Sequence, residues 1–437
     1  MEPKPLKVLM FGWEFPPEIS GGLGTACYGL VSGLIDSGVD VTFVVPKLYG
    51  TEETDKFRLV GASDINVNFS NDHFNKNLEK VKYLQIHSHI LPYVSPQEFL
   101  ERTEFDVESL KIDSTFSTAK FSFGGKYGKN LLSEVSKYAV VAMQIAQDQD
   151  FDVIHAHDWL TFPAAIMAKE VSGKKLVVHI HATEFDRSGE AVNQEVYDME
   201  RQGCEAADRI ICVSRLTRRI LMNRYGIDGS KISVVHNAVV PKPAIIYPKK
   251  NLVDKKIVTF LGRITFQKGP DYFVEAAKKV LEVMPDAHFV MAGNGDMFLN
   301  CLERAAELKI SKRFHFPGFL NYFETNNLFG MTDVYVMPSV SEPFGITPLE
   351  AMRTGVPVII SKQSGVSEVL NNAIKVDFWD VNALSDTIIG LLKHEEVSKQ
   401  LAGDGTDEVH EMKWEYAALK VREIYNKTID RRRSVRV

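Results

Sequence analysis

The sequence predicts an α/β protein with two doubly wound domains. Short runs rich in valine and isoleucine recur along the 437 residues, and each is followed by a segment with helical periodicity. Near-continuous apolar runs are typical of parallel strands that are buried on both faces. The alternation is interrupted once near the middle of the chain, at a proline- and lysine-rich stretch, and then restarts. Two domains therefore follow from the pattern.

The first domain is predicted to span residues 1–245. Helical patterns cover Thr25–Ser37 and Leu131–Gln147. Residues 51–125 fit the alternation poorly, so we interpret them as an insertion that either builds a binding surface or is a plain surface excursion. The predicted strands are Lys7–Trp13, Val39–Val45, Asp152–Ala156, Lys175–Ile180, Arg209–Val213 and Ile232–His236.

The second domain is predicted to span residues 246–415. It follows Pro241–Lys250, where three prolines and three lysines are typical of an exposed connection. Residues 416–437 are expected to continue a last helix that begins near Trp414, which can reach back to the first domain, and to end in a basic tail. The predicted strands are Lys256–Leu261, His288–Ala292, Arg313–Phe316, Val334–Met337 and Val356–Ile360.

The composition of the chain excludes several classes of protein. Lysine and arginine number 51 and aspartate and glutamate 57, a net charge of −6, whereas a general nucleic-acid binder is usually basic. No apolar run approaches the roughly 18 residues of a spanning helix, and Val8–Phe11 is too short for a signal-peptide core. The four cysteines form no Cys-x-x-Cys pair. We therefore expect a cytoplasmic protein that binds no nucleic acid and has no transmembrane segment.

Two loops between a strand and a helix have the residues of a phosphate site. Gly21-Gly22-Leu23-Gly24 follows the first strand, and free N–H groups at the start of a helix bind phosphate. The spacing is not that of a dinucleotide site, so a tight turn is the alternative. Arg263 and Lys268 follow the first strand of the second domain, where two cations can clamp a diphosphate or simply lie at the surface.

The segment 338–352 contains two glutamates separated by seven residues, Glu342 and Glu350. We predict Thr347 as a helix N-cap and Pro348 as the first helical residue, which makes Glu350 the carboxylate of a capping box. Capping does not explain Glu342, which precedes the helix in a loop with Gly345. Carboxylates in such a loop can accept hydrogen bonds from sugar hydroxyls.

Histidines end two consecutive predicted strands of the first domain, His155 and His157 on one and His179 and His181 on the next. Ligands bind outside the carboxyl ends of strands in an open parallel sheet. No pair of histidines on a helix and no cysteine partner supports metal ligation, so we expect no metal site. A structural role is the alternative for each histidine.

The order of these motifs resembles that of retaining glycosyltransferases of family 4, with features of glycogen and starch synthases. The resemblance covers nearly the whole chain. It implies the GT-B fold, in which two Rossmann-like doubly wound domains face a central cleft. The segments that carry it are Glu14-Phe15-Pro16-Pro17, Gly21–Gly24, His157-Asp158-Trp159, His181, Gly262-Arg263, Lys268-Gly269, Ala292–Gly295 and Ser341–Gly345 with Glu350-Ala351.

The resemblance also implies residue roles. The expected catalytic residues hold the donor diphosphate and the donor sugar: His181, Arg263, Lys268 and Glu342. The other expected donor-binding residues are Gly22, Gly24, Asn294, Phe344, Gly345, Ile346 and Glu350, with the strand end Phe316–Phe319 near the nucleobase. The acceptor-side candidates are Glu14, His157 and Asp158. No cofactor or metal is expected, because Arg263 and Lys268 supply positive charge at the diphosphate.

The expected reaction is transfer of a glucosyl group from UDP- or ADP-glucose to an α-glucan or oligosaccharide. Synthases that use ADP-glucose typically carry a lysine two residues before the paired glycines, and Ile19 stands there. A lipid-linked acceptor, epimerase or phosphorylase chemistry, and a non-catalytic nucleotide-sugar-binding protein are the alternatives. Aromatic rings of the insertion are candidates for stacking on sugars: Tyr83, Tyr93, Phe99, Phe105, Phe116, Phe121 and Phe123.

Overall fold

The computed structural model describes residues 4–16, 22–50, 52, 58–68, 118–125, 131–239 and 255–434. These residues contain a parallel sheet of seven strands, a parallel sheet of six strands and a short antiparallel pair. Helices connect most successive strands of the two parallel sheets. The predicted pair of doubly wound units is therefore confirmed.

The first sheet has the strand order β3-β2-β1-β6-β7-β8-β9, with every neighbouring pair parallel. All six predicted strands are present with ends shifted by at most two residues, and the edge strand β3 was not predicted. β4 and β5 form the antiparallel pair. The bounds are β1 Leu6–Phe11, β2 Val39–Val45, β3 Arg58–Gly61, β4 Asn66–Asn68, β5 Thr118–Lys120, β6 Val153–His157, β7 Lys175–Ile180, β8 Arg209–Cys212 and β9 Ile232–Val234.

Alternate residues of these strands enter two separate cores. Leu9 and Phe11 of β1 pack on one face, whereas Val8 and Met10 pack on the other. The period of two in a strand produces this division. Both predicted helices of this part are confirmed as α1 and α2. The helices are α1 Gly22–Asp36, α2 Leu131–Asp148, α3 Phe162–Ser172, α4 Glu184–Ser188, α5 Gln194–Ala206 and α6 Arg215–Arg224.

The insertion lies mostly outside the described residues, and so do five of its seven candidate aromatic side chains. The two that are described, Phe121 and Phe123, are 7% and 5% exposed and belong to a core of the first sheet. The ring centroid of Phe123 is 6.3 Å from that of Tyr138, a buried residue of α2. The expectation that these two rings stack on sugars is therefore wrong.

The second sheet has the order β12-β11-β10-β13-β14-β15, again parallel throughout. The five predicted strands are present. The connection 241–250 lies outside the described residues, so the boundary between the domains stays a prediction. The elements are β10 Ile257–Leu261, α7 Pro270–Val283, β11 His288–Ala292, α8 Phe298–Glu307, β12 Phe314–Gly318, α9 Tyr322–Met331, β13 Val334–Met337, α10 Thr347–Arg353, β14 Val358–Ser361, β15 Ile374–Val376, α11 Val381–Lys393 and α12 Glu395–His410.

The last helix, α13 (Trp414–Ser434), packs against α1 of the first sheet. Glycines of α1 allow the two helices to lie close together. A Cβ at Gly29 would lie 2.3 Å from the Trp414 ring, and one at Gly33 would lie 2.8 Å from the Trp414 carbonyl oxygen. Tyr425 is fully buried in the same core. Among the described residues, no helix has both the length and the hydropathy needed to cross a membrane.

Candidate active site

Lys268 and Glu342 form an ion pair at the carboxyl edge of the second sheet. Lys268 ends a short 3-10 turn after β10, and Gly269 then begins α7. Gly269 has a φ of 62°, and a Cβ there would lie 2.2 Å from the carbonyl oxygen of Pro338. Only glycine therefore allows this turn to lie directly against the end of β13, which brings the lysine to the glutamate.

The Glu342 carboxylate is held from several sides. It accepts hydrogen bonds from the Lys268 ammonium and from Ser339 Oγ, the latter at 3.2 Å, and the residue is 6% exposed. Its N–H donates to the carbonyl of Gln363 at 3.0 Å, and its carbonyl accepts the N–H of Gly365 at 2.8 Å. Both its main chain and its side chain are thereby fixed before any ligand binds.

Arg263, the second predicted cation, lies in the same loop as Lys268. Its side chain is exposed, and Nη2 donates to Gln267 Oε1 at 3.1 Å. The Gln267 carbonyl in turn accepts the N–H of Val340 at 3.0 Å, which ties the loop after β10 to the loop after β13. The structure thus places Arg263, Lys268 and Glu342 on two adjoining loops.

The prediction that Glu350 belongs to a capping box is wrong. The N-cap of α10 is Ile346, at φ −80° and ψ −33°, and this residue makes no side-chain capping bond. Because the backbone already turns at Ile346, Thr347 is the first helical residue and cannot act as the cap. Glu350 nevertheless lies near the site: burial, and then the charges of Glu342 and Glu350, raise the pKa of the Tyr335 hydroxyl. The sequence analysis did not identify Tyr335 as a neighbour of this site, because its sequence context is that of an ordinary strand residue.

The loops after β10 and β11 pack backbone against backbone. A Cβ at Gly293 would lie 1.8 Å from the Gly262 carbonyl oxygen, and one at Gly295 would lie 2.1 Å from the Ile264 carbonyl oxygen. Asn294 between them is exposed, and its carbonyl accepts the N–H of Ile264 at 2.9 Å. The remaining predicted donor residues lie at the loop after β13 and at the start of α1: Phe344 is buried, Gly345 and Ile346 are half-buried, Gly24 is buried and Gly22 is exposed.

Four histidines form a stack on the first sheet, two on β6 and two on or directly after β7. The period of two puts all of them on the face covered by α1 and α13. Neighbouring ring centroids are 4.3–5.3 Å apart for the pairs His155–His157, His179–His181 and His157–His179. His157 Nδ1 lies 2.9 Å from His181 Nε2. Burial lowers the pKa of His155 and of His181 to about 3, so both are neutral at physiological pH.

The acceptor-side candidates are all buried. His157 is 0% exposed behind the half-exposed His181, Glu14 is 5% exposed and Asp158 is 8% exposed. Asp158 has a φ of 57°, which is rare for a residue with a side chain. Its Oδ1 accepts the His181 N–H at 2.6 Å, and burial raises its pKa to about 7. His157 and Asp158 therefore both contact His181, and they form no exposed surface for an acceptor.

Hydrogen bonds of Ser341 and Glu368 join the first-sheet and second-sheet parts of the chain. Ser341 Oγ donates to Asp186 Oδ1 at 2.5 Å, and Asp186 also completes the capping box of α4 with Thr183. Glu368 accepts the N–H groups of Arg215 and Leu216 at 2.8 and 2.7 Å. The first contact links Asp186, five residues after His181, to Ser341, the residue before Glu342. Sequence reasoning found neither contact, since both pair distant residues.

Models of two glycosyltransferase families match consecutive parts of the chain. The model described as Glycosyltransferase Family 4 matches residues 122–242, and the model described as Glycosyl transferases group 1 matches residues 244–407. The chain is a glycosyltransferase of family 4 with the GT-B fold. The predicted family is therefore confirmed.

The named relatives of this glycosyltransferase differ in the activity that their names state. An uncharacterized glycosyltransferase of Methanocaldococcus jannaschii is 28% identical over 383 residues, 84% of each chain. A glycogen synthase of Mycobacterium tuberculosis is 24% identical over 84% of this chain and 80% of its own. Among solved structures, Anabaena HepE in complex with UDP-glucose aligns with a TM-score of 0.64 at 15% identity, over 97% of this chain and 100% of HepE.

The two sides of this candidate site present different chemical groups. One loop pair presents a lysine, an arginine and a fixed carboxylate, while the opposite sheet presents a neutral imidazole. Cations stabilise a phosphate, and a carboxylate accepts hydrogen bonds from hydroxyls. The two sides of the site thus differ in charge and suit the two ends of a charged sugar donor.

Proposed function

We propose that this glycosyltransferase moves a glucosyl group from UDP- or ADP-glucose to an α-glucan or oligosaccharide, with retention of the anomeric configuration. The single observation that carries the proposal is the ion pair of Lys268 and Glu342 beside Arg263. It provides a cation for a diphosphate next to a carboxylate for the hydroxyls of a sugar.

Charge builds up on the diphosphate as the glycosidic bond breaks. Arg263 and Lys268 stabilise this charge, because both cations already lie on the loop after β10 before the bond breaks. On binding, the phosphate competes with Glu342 for the ammonium, and the freed carboxylate oxygen accepts a hydroxyl of the donor sugar. Glu350 is assigned to the ribose hydroxyls. In this scheme no metal ion is needed.

Retention is assigned to front-face attack, in which the acceptor enters on the side the nucleotide leaves. His181 lies beside the anomeric carbon in this scheme and donates to the donor sugar as a neutral imidazole. The carboxyl group of Asp158 accepts the His181 N–H, and the residue is 8% exposed. That position supports a mechanism without a covalent intermediate on Asp158.

The acceptor assignment rests on the relative named glycogen synthase and on α1. A lipid-linked acceptor favours a basic amphipathic face on the first domain. The sequence of α1, GLGTACYGLVSGLID, has neither lysine nor arginine. A soluble glucan acceptor is therefore the assignment that α1 supports, with a lipid-linked acceptor as the second candidate.

A screen of donors against acceptors tests the proposal. Radiolabelled UDP-glucose and ADP-glucose are each supplied with glycogen, malto-oligosaccharides, a lipid-linked sugar or no acceptor. We expect label in glucan with stoichiometric release of nucleotide. Transfer only to the lipid would replace the acceptor assignment. Binding of nucleotide sugar with no transfer or hydrolysis in any combination would favour the non-catalytic alternative.

A further inference from the structure

A cysteine lies against the two histidines nearest the cleft. Cys27 of α1 offers its Sγ, and His157 and His181 each offer a ring nitrogen, all three atoms lying within 4.8 Å of one another. Cys27 is a free thiol that is 1% exposed. This cluster could not be predicted from the sequence, because Cys27 precedes the histidines by a long stretch of chain and shares no spacing motif with them.

We propose that Cys27, His157 and His181 form a binding site for Zn²⁺, and that zinc bound there reversibly inhibits the enzyme. A thiolate with two imidazoles is a ligand set that zinc prefers in proteins. The three ligands come from α1, β6 and the segment after β7, so they are presented by the rigid framework of the first sheet.

The distances suit zinc after a small side-chain movement. Zn–N bonds of 2.0–2.1 Å at a tetrahedral angle separate two nitrogens by about 3.3 Å. His157 Nδ1 and His181 Nε2 lie 2.9 Å apart. Because His181 is half-exposed, its ring has room to turn and the ion has an entry route.

The protonation states decide how binding depends on pH. Burial holds the pKa of His157 and His181 low, so their lone pairs are available to a metal. Burial raises the pKa of the Cys27 thiol, and the charges of Asp158 and Glu14 raise it further. Zinc must therefore displace the thiol proton, and its affinity rises with pH. The same two carboxylates lie near enough to offset the positive charge of the ion.

The deeper part of the histidine stack is a poorer site. His155, His157 and His179 also bring ring nitrogens within 4.8 Å of one another. The planes of these three rings are nearly parallel, with angles of 19–28° between them. The lone pair of each ring nitrogen lies in the plane of its ring, so the three lone pairs do not converge on one ion. His155 and His179 are at most 2% exposed, which leaves an ion no route inward.

Inhibition rests on the proposed role of His181, whereas zinc binding does not. An imidazole that ligates zinc no longer donates to the sugar donor. Activity should therefore fall as the site fills and return after chelation. The two parts of the proposal can be tested separately, since metal binding has its own spectroscopic readout.

The test titrates the full-length protein with Co²⁺ and with Zn²⁺, using Cys27→Ala and the closer-sized Cys27→Ser. Cys301→Ala, which removes a buried cysteine from the second-sheet core, is the control. We expect a thiolate-to-cobalt absorption band in the parent and in Cys301→Ala but in neither Cys27 variant. Zinc affinity, measured by competition with a chromophoric chelator, should fall at least tenfold in both Cys27 variants.

Zinc inhibition should weaken by the same factor in the Cys27 variants, whose activity without metal stays at the parent level. Equal zinc affinity in the parent and both Cys27 variants, or no cobalt–thiolate band in the parent, would overturn the site. A zinc-binding parent that keeps full activity when saturated would overturn the inhibition and leave the proposed transferase activity untouched.

Discussion

Replacing Lys268 by methionine separates the two roles of its ion pair with Glu342. The change keeps most of the side-chain volume and removes the charge. The Glu342 side chain is 8% exposed. Of the two hydrogen bonds described for its carboxylate, only the one from Ser339 Oγ then remains. The substitution should therefore affect both the free energy of unfolding and the catalytic rate.

The two effects have different sizes. Breaking a buried ion pair typically costs about 3–5 kcal/mol. The Lys268 side chain is 21% exposed, so solvent screens the pair in part and we expect a loss of about 2 kcal/mol. Loss of a charge-stabilising group at a transition state costs on the order of 2.7–4 kcal/mol, or about 100–1,000-fold in rate. The protein should therefore stay folded and be nearly inactive.

Urea unfolding and a coupled assay of nucleotide release measure these quantities. The double variant Lys268→Met/Glu342→Gln carries neither charge, so most of the lost stability should return while activity stays low. Lys362→Met is the matched control. It breaks an ion pair with Asp377 in which the lysine is 53% exposed, and it should change neither the urea midpoint nor the activity measurably.

Two results would refute this reasoning. Near-normal kinetics in Lys268→Met would show that the ammonium does not act on the diphosphate. Recovery of activity together with stability in the double variant would show that the lysine serves only to hold the loop. In either case the donor assignment would lose the observation that carries it.

Four further outcomes are expected. Glu350→Gln should lower kcat/KM but change the free energy of unfolding by less than about 0.5 kcal/mol, since α10 has no side-chain cap; a larger loss in urea would mean that Glu350 is structural. Burial raises the pKa of Asp158 to about 7, compared with about 3.9 in the unfolded chain, so the free energy of unfolding should fall as the pH rises between these values. Asp158→Asn should flatten that part of the pH profile. An unchanged slope in this variant would contradict the role assigned to Asp158. Trp414→Ala should cost about 3–5 kcal/mol through the cavity left against α1, and a loss under about 1 kcal/mol would contradict the packing. Activity should survive EDTA, and complete loss restored by magnesium or manganese would contradict a reaction without a metal.

The parallel strands were predictable because each is an apolar run buried on both faces. β15 was missed because three residues are too few to form a pattern, and β3 because Arg58–Gly61 is a short edge strand with one charged end. The capping box failed for a local reason: the backbone turns at Ile346, one residue before the residue with the expected side chain. Periodicity and composition do not encode such a shift.

The site was predictable as a set of loops and not as a set of contacts. Lys268 and Glu342 are each visible in motifs, but their pairing joins residues 74 positions apart. The bond between Ser341 and Asp186 and the approach of Cys27 to His181 likewise depend on how distant segments pack. Sequence patterns report the local environment of a residue, and only the fold specifies its partner.

Proton NMR of the first turnover tests the central claim most directly. UDP-glucose or ADP-glucose is supplied with a malto-oligosaccharide, and the anomeric signal of the new linkage is followed together with nucleotide release. We predict an α-linked product formed in step with the nucleotide. A β-linked first product would contradict retention, and the absence of a new linkage with both donors would contradict glucosyl transfer to glucan.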